Sequence, residues 1–268
     1  MTCAGAACFL ARLGYAARGV VYITIGLLAA FAALGRGDGE TTGPRGALAT
    51  VRDVAWGQTL LAVLGVGLLA YALWRLAQAV LNVDSHKNDA KGITVRVGML
   101  ISSVVHTTLA AWVFTTLWTG RSAGDEGDAK SQAWIAWGLG LPGGRVLVII
   151  AGVIVIAVGV TQGIRGWRAK FEKRLDFDYQ RWSWARPICR FGLIARGFVF
   201  ILIGGSLLRA AYRYTATEAR GMGTVLGELQ RQPWGTALLG IAALGLIAFG
   251  LYGLIEARYR KIDLWPAR

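Results

Sequence analysis

Long apolar stretches alternate with shorter polar segments along the whole chain. Each apolar stretch is long enough for a helix to cross a hydrocarbon core of about 30 Å. The stretches are residues 17–34, 58–80, 98–118, 145–163, 193–211 and 236–255. The segments between them are short and contain Gly, Asp and Pro, which form turns. The pattern therefore predicts an all-α membrane protein with six transmembrane helices.

A gapless internal repeat relates the first and last parts of the chain at an offset of 178 residues. The motif R-x-G-x-x-A-R-G occurs at 12–19 and at 190–197, and a Trp-Gly pair occurs at 56–57 and at 234–235. A weaker middle copy begins at 96–98 and carries two serines in place of the Arg-Gly pair. Each copy is one helical hairpin, so all three enter the membrane in the same direction.

The repeat predicts three parallel two-helix units around a pseudo-threefold axis along the membrane normal. Repeat one spans residues 1–80, repeat two spans 81–167 and repeat three spans 168–268. Repeat three opens with a basic segment at 168–190. Charges and aromatic rings alternate along 171–182, which predicts an amphipathic helix at the membrane interface, or a helix that docks a partner.

The residues that define the hairpins carry a resemblance to a known family. Each hairpin opens with an R-x-G-like start and has a Gly-rich second helix, which in repeat one ends in YALWRLAQA at 71–79. In these features the chain resembles a bacterial membrane family catalogued as domain of unknown function 1206. The resemblance covers nearly the whole chain and implies a transmembrane helix pair that occurs three times. It implies no activity, cofactor or site residue.

The distribution of positive charge predicts the orientation of the chain. With six spans, 17 of the Lys and Arg residues fall on the side of the termini and 10 on the other side. Because short loops rich in Lys and Arg stay in the cytoplasm, both termini are predicted to be cytoplasmic. The net charge of +14 is spread along the ends of apolar runs. We therefore expect anionic lipid headgroups as partners in a bacterial inner membrane, and not nucleic acid.

One titratable side chain lies near the predicted membrane midplane. His106 is about 13 Å into the third span at 1.5 Å per residue, and Tyr22 and Phe200 occupy the equivalent repeat positions. If the three rings face the pseudo-axis, they form a constriction with one group that titrates near neutral pH. The alternative is a neutral His106 that makes a hydrogen bond to a neighbouring helix.

Polar side chains concentrate at the predicted cytoplasmic ends of the spans, where they are candidates for an inner polar ring. The candidates are Arg18, Arg75, Gln78, Gln162, Arg165, Arg196 and Glu256. An unpaired carboxylate at this depth is costly, so Glu256 is expected to pair with an arginine such as Arg18, Arg75 or Arg196. The alternative is a set of arginines that reach the interface, with one structural ion pair.

Glycines on the fourth span predict close helix packing. Gly152, Gly159 and Gly166 recur every seven residues, and Gly159 with Gly163 forms a G-x-x-x-G motif.

Sequence motifs of enzymes are missing, and the two histidines, His86 and His106, fall on different elements. We therefore predict no catalytic residues, no metal and no cofactor. The three cysteines are expected to form no disulfide, because all of them fall in or beside predicted cytoplasmic segments.

These observations leave two functional hypotheses. The first is a small channel or transporter-like protein with a path along the pseudo-axis, past Tyr22, His106 and Phe200. The second is a non-transporting membrane scaffold that binds lipid or another membrane protein. The sequence makes no prediction of oligomeric state.

Overall fold

The computed structural model describes residues 5–35, 41, 43–52, 56–83, 89–120, 126–172, 175–179 and 182–261. These residues form α-helices α1 (Ala6–Ala33), α2 (Pro44–Arg52), α3 (Gly57–Val80), α4 (Ala90–Thr119), α5 (Glu126–Gly140), α6 (Gly144–Trp167), α7 (Ala185–Arg213), α8 (Met222–Gln230) and α9 (Gly235–Tyr259). A single turn of 3₁₀ helix lies at Ala216–Glu218.

Six of these helices, α1, α3, α4, α6, α7 and α9, are long and apolar enough to cross a membrane. The chain is therefore an all-α, multi-pass membrane protein, as the hydropathy pattern predicts. The helices α1, α4 and α7 begin several residues before the predicted apolar runs, because the R-x-G starts are themselves helical. At α4 the side chain of Asp89 caps the first turn by accepting a hydrogen bond from Gly92 N at 2.7 Å.

Each repeat also contains a short helix that the sequence analysis assigned to turns. These helices are α2, α5 and α8, and the 178-residue offset relates α2 to α8 residue by residue. In α2, Pro44 occupies the first helical position and Ala47, Leu48 and Val51 are buried. The prediction of turns alone was wrong here, because turn-forming residues flank helices that bury an apolar side.

The second long helix of each repeat begins in the same way. Trp56, Gly143 and Trp234 precede α3, α6 and α9 with left-handed backbone conformations, at φ of 63°, 74° and 64°. The glycine that follows each of them lies against backbone atoms of the segment before it. This close approach explains the Trp-Gly pairs of the repeat, since a Cβ would collide at the glycine position.

The long helices pack across the repeats in the order α4, α3, α1, α9, α7 and α6. The first helix of each repeat packs on the second helix of another: α1 on α9, α7 on α6, and α4 on α3. Equivalent positions meet at each crossing, namely Gly19 with Gly250, Gly197 with Gly159, and Ser103 with Ala72. Within repeats one and three the two long helices also pack together, whereas α4 and α6 of repeat two make no extensive contact with each other. The pseudo-threefold axis stays a prediction, because repeat two departs from the other two.

The segment before α7 is not the amphipathic helix that its sequence predicts. Its described residues 175–179 are extended and lie against the end of α9, where Asp176 N donates to the Tyr259 carbonyl oxygen at 2.7 Å. Phe171 packs on Tyr252, with ring centroids 5.6 Å apart. Burial raises the pKa of the nearby Tyr179 hydroxyl. The aromatic residues thus bury against α9 instead of facing lipid.

The cysteine prediction is also wrong in part. Cys8 is disulfide-bonded, whereas Cys189 is free and buried. The predicted compartment says nothing about the distance between two thiols. Cys3 and His86 lie outside the described residues.

Candidate functional site

A buried ion pair joins the first and last long helices. Arg18 Nη2 lies 2.5 Å from Glu256 Oε2, and the two residues are 7% and 4% exposed. This contact confirms the prediction that Glu256 has an arginine partner. Arg260, which directly follows α9, holds the other carboxylate oxygen at 2.7 Å. Glu256 therefore shares its charge between two guanidinium groups.

Tyr71 connects two of the arginines through its hydroxyl group. Arg18 Nη1 donates to this oxygen at 2.7 Å, and Arg75 donates to it from Nε at 2.8 Å and from Nη2 at 2.5 Å. Arg75 also donates to Gln78 Oε1 at 3.1 Å. Both of these partners of Arg75 are neutral.

Arg196 occupies the equivalent of the Arg18 position in repeat three and has different partners. Its Nε donates to the Tyr22 hydroxyl at 2.8 Å, and its Nη1 donates to Gln162 Oε1 on α6. The guanidinium lies over the Phe200 ring, 4.1 Å from the centroid. Arg196 is half-buried, and these partners are also neutral.

We call Arg18, Arg75 and Arg196 the arginine cluster. Arg18 and Arg75 share the Tyr71 hydroxyl, while Arg18 and Arg196 both lie over the Phe249 ring, at 5.1 and 4.7 Å from its centroid. Among the described residues, the carboxylate that contacts the cluster is Glu256, through Arg18. Two of the three guanidinium groups thus have neutral polar and aromatic partners alone.

The three predicted axis residues fall into two groups. Tyr22 and Phe200 both contact the Arg196 guanidinium, and the Tyr22 ring meets Phe249 edge-on with centroids 4.7 Å apart. The His106 ring lies 4.6 Å from Tyr71. His106 Nδ1 is 2.7 Å from the Ser102 carbonyl oxygen, so Nδ1 carries the proton that it donates. These rings contact side chains of the arginine cluster and its hydrogen-bond partners.

The remaining ring candidate, Arg165, has a different environment. It is exposed near the end of α6, whereas Gln78 and Glu256, at the equivalent positions of α3 and α9, are buried. Repeat two therefore contributes no arginine to the cluster, but its Gln162 accepts a hydrogen bond from Arg196.

The glycines of α6 face α7 at three of the four predicted positions. A Cβ at Gly152 or Gly159 would lie 3.1 or 2.6 Å from a carbonyl oxygen of α7, and one at Gly166 would lie 2.9 Å from the Arg190 oxygen. A Cβ at Gly163 would have no atom within 4 Å. The seven-residue spacing, more than the G-x-x-x-G motif, marks the side of α6 that packs on α7.

Sequence reasoning missed several members of this site. Tyr15, Tyr71 and Trp74 are aromatic residues with helical spacing that resemble packing residues, yet Trp74 Nε1 donates to the Tyr15 hydroxyl at 3.1 Å beside the cluster. Arg260 was assigned to the tail. Its spacing of four residues from Glu256 on one helix was the available signal. In the part of the chain that the structure describes, no group of three or more His, Cys, Asp or Glu side chains is placed to hold a metal ion.

Comparison with known proteins agrees with the repeat structure. The family model described as Domain of Unknown Function (DUF1206) matches three times, at residues 13–82, 97–169 and 191–260. An uncharacterised protein of Bacillus subtilis (strain 168) is 34% identical over 257 residues, which cover 94% of this chain and 90% of that protein. No solved structure matches the chain. The chain therefore belongs to the DUF1206 family of proteins, with three copies of the family unit.

Proposed function

We propose that the protein is a membrane-embedded binding protein, and not an enzyme, whose ligand carries an anionic group that pairs with the arginine cluster. The observation that supports this function is the unbalanced charge of Arg75 and Arg196. Both are half-buried within spans, and their hydrogen-bond partners among the described residues are neutral. The proposed location is a bacterial inner membrane with the cluster on the cytoplasmic side.

The free-energy cost of an ionised side chain in a bilayer supports this proposal. An ionised side chain inside a membrane is expensive, and such residues normally pair with an opposite charge or mark a functional site. Arg18 has Glu256 as its counter-charge, but Arg75 and Arg196 have phenol and amide oxygens. A guanidinium presents a planar set of donors that matches a phosphate or carboxylate. A bound anion would supply the charge that these two residues lack.

A path along the pseudo-axis, the first sequence-based hypothesis, ranks second. Arg196 contacts both Tyr22 and Phe200, and Tyr22 packs on Phe249, so these side chains fill the space beside each other. Close contacts of this kind favour binding over continuous conduction. A flux assay in proteoliposomes with chloride, phosphate and sodium separates the two functions, because the binding protein is expected to give no flux.

Anion-dependent stability tests the proposal. We expect inorganic phosphate to raise the unfolding temperature of the purified protein in neutral detergent, because a ligand that binds only the folded state stabilises it. At a phosphate concentration of about 100 times Kd, the expected gain is about 2.7 kcal/mol. The variants Arg75→Gln and Arg196→Gln should lose this gain.

Arg186→Gln is the matched control, since Arg186 is an exposed arginine that pairs with Glu172 outside the cluster. It should keep the full response to phosphate. The proposal is rejected if phosphate leaves the wild-type unfolding temperature unchanged, or if the control loses the response as the two cluster variants do.

A further inference from the structure

We propose that the ligand is an anionic lipid, and that it enters sideways from the bilayer through a cleft between α4 and α6. The acyl chains would lie against the two helices while the phosphate reaches the arginine cluster. This inference rests on the proposed function and names its ligand class and route.

The cleft is inferred from a contact that repeat two does not make. In repeat one a Cβ at Gly14 would lie 2.6 Å from Tyr71 Cα, and in repeat three a Cβ at Gly192 would lie 2.7 Å from Phe249 Cα. These glycines let the two long helices of a hairpin touch. At Gly98, the equivalent position of α4, a Cβ would have no atom within 4 Å. Thus α4 has the glycine that would allow a close crossing, but α6 does not pack against it.

The two sides of the cleft are apolar and exposed. Ile101 of α4 is 44% exposed, whereas its repeat-one equivalent Ala17 is 4% exposed. Ile154 of α6 is 40% exposed, whereas the equivalents Gly67 and Gly245 are buried. Isoleucine therefore occupies positions that hold Ala or Gly in the other repeats. Such walls suit hydrocarbon chains.

The cleft lies at the depth of the arginine cluster. In repeat one Arg18 bonds to Tyr71, and in repeat three Arg196 lies over Phe249. Ser102 and Val158 hold the equivalent positions on α4 and α6, and both are half-buried. The opening therefore occurs where the other two repeats place an arginine against an aromatic ring.

A residue of each wall contacts Arg196 itself or a hydrogen-bond partner of Arg75. On α6, Gln162 accepts a hydrogen bond from Arg196. On α4, His106 packs on Tyr71, whose hydroxyl accepts from Arg75. A headgroup between the walls would replace neutral partners of Arg75 and Arg196 by an anionic one, which makes stronger hydrogen bonds.

Charge favours a lipid over a second copy of this chain in the cleft. The chain carries a net charge of +14, so a second copy brings more positive charge towards the cluster. An anionic lipid brings the opposite charge together with apolar chains that fit the walls. Arg18 gives further support, since its Nε is buried and without a hydrogen-bond partner in the described structure.

Lipid retention with a blocked cleft tests this inference. The protein is taken from vesicles of equal parts phosphatidylglycerol and phosphatidylcholine, and its retained lipids are counted by native mass spectrometry. We expect the wild type to favour phosphatidylglycerol by roughly tenfold, as for a headgroup held by charge-assisted bonds. Ile101→Trp and Ile154→Trp, which fill the cleft from opposite walls, should abolish the preference.

Leu100→Trp is the matched control, because Leu100 is 43% exposed on the same helix but points about 100° away from Ile101. It should retain phosphatidylglycerol as the wild type does. If both blocked variants also retain it while phosphate still raises the unfolding temperature, lateral entry is wrong and the proposed function stands. If phosphate has no effect either, both proposals fail. A dimer that Ile101→Trp disrupts would identify the occupant as a second copy and overturn the lipid.

Discussion

The pairing of Arg18 with Glu256 shows how one residue stabilises distant parts of this chain. The two residues are 238 positions apart in sequence, and their ion pair is buried where α1 crosses α9. The arginine also bonds to Tyr71, so it connects three long helices. A single substitution here removes an ion pair and a hydrogen bond and leaves Glu256 with Arg260.

We expect Arg18→Gln to lower the free energy of unfolding by about 2–3 kcal/mol, because a buried charge-assisted hydrogen bond is lost while Glu256 keeps Arg260. Arg186→Gln breaks an exposed pair with Glu172 and should cost less than about 1 kcal/mol. Denaturant titration of both variants in the same detergent measures the difference. Equal losses of unfolding free energy in the two variants would show that burial of the Arg18–Glu256 pair does not add to its stabilising effect.

The glycines of α6 allow a test of packing within one helix. A Cβ at Gly159 would lie 2.6 Å from the Gly197 carbonyl oxygen, while one at Gly163 would meet nothing within 4 Å. We expect Gly159→Ala to cost about 1–3 kcal/mol through overpacking, and Gly163→Ala to be neutral or slightly stabilising. Thermal unfolding compares the two variants, and a larger loss at Gly163 would contradict the packing described here.

The residue scale also shows what sequence could and could not predict. The partner of Glu256 was predictable, because a carboxylate inside a membrane needs a cation and few were available. The role of Tyr71 was not, since an aromatic residue among Leu and Ala has the same pattern whether it packs or accepts hydrogen bonds. Only the crossing of α1 and α3 brings its hydroxyl to Arg18, whereas Arg75 lies one turn further along the same helix as Tyr71.

At the scale of elements, the three repeats have the same order of helices but do not make all of the same contacts. The long helices were predictable from apolar length, and the match between repeats one and three extends to the short helices α2 and α8. Repeat two differs because its two long helices, α4 and α6, make no extensive contact with each other. Its sequence still begins with R-x-G, so the open hairpin was not predictable from the motif.

Equivalent glycines of the three repeats should therefore respond differently to the same substitution. We expect Gly14→Ala and Gly192→Ala to destabilise the protein by about 1–3 kcal/mol, since each new methyl group would meet backbone of α3 or α9. Gly98→Ala should have little effect or stabilise α4, because Ala favours helix more than Gly does. Thermal unfolding of the three variants measures this, and an equal loss at Gly98 would mean that the hairpin of repeat two closes in the membrane.

At the scale of the whole molecule, the packing order of the helices brings the first and last long helices together. Repeat three follows repeat one around the bundle, so α9 packs on α1 through Gly250 and Gly19. Sequence predicted three units and their common direction, but not which helix of one unit packs on which helix of another. That choice depends on where two backbones approach closely, at Gly197 and Gly159 for instance.

The orientation of the bundle is the last property that the charge pattern predicts. The side with 17 Lys and Arg residues should face the cytoplasm, against 10 on the other side. Single cysteines at Gln58 and Thr236, exposed at the starts of α3 and α9, and at Ser183, exposed before α7, test it in a chain without Cys3, Cys8 and Cys189.

We expect a membrane-impermeant thiol reagent to label the first two positions in intact cells and Ser183→Cys only after the membrane is opened. The opposite pattern would invert the bundle and place the arginine cluster towards the outside, because Glu256 lies near the same end of α9 that the 175–179 segment covers. Labelling of all three positions in intact cells would contradict six spans. Since anionic lipid is expected at the cytoplasmic side, this orientation also decides which leaflet supplies the proposed ligand.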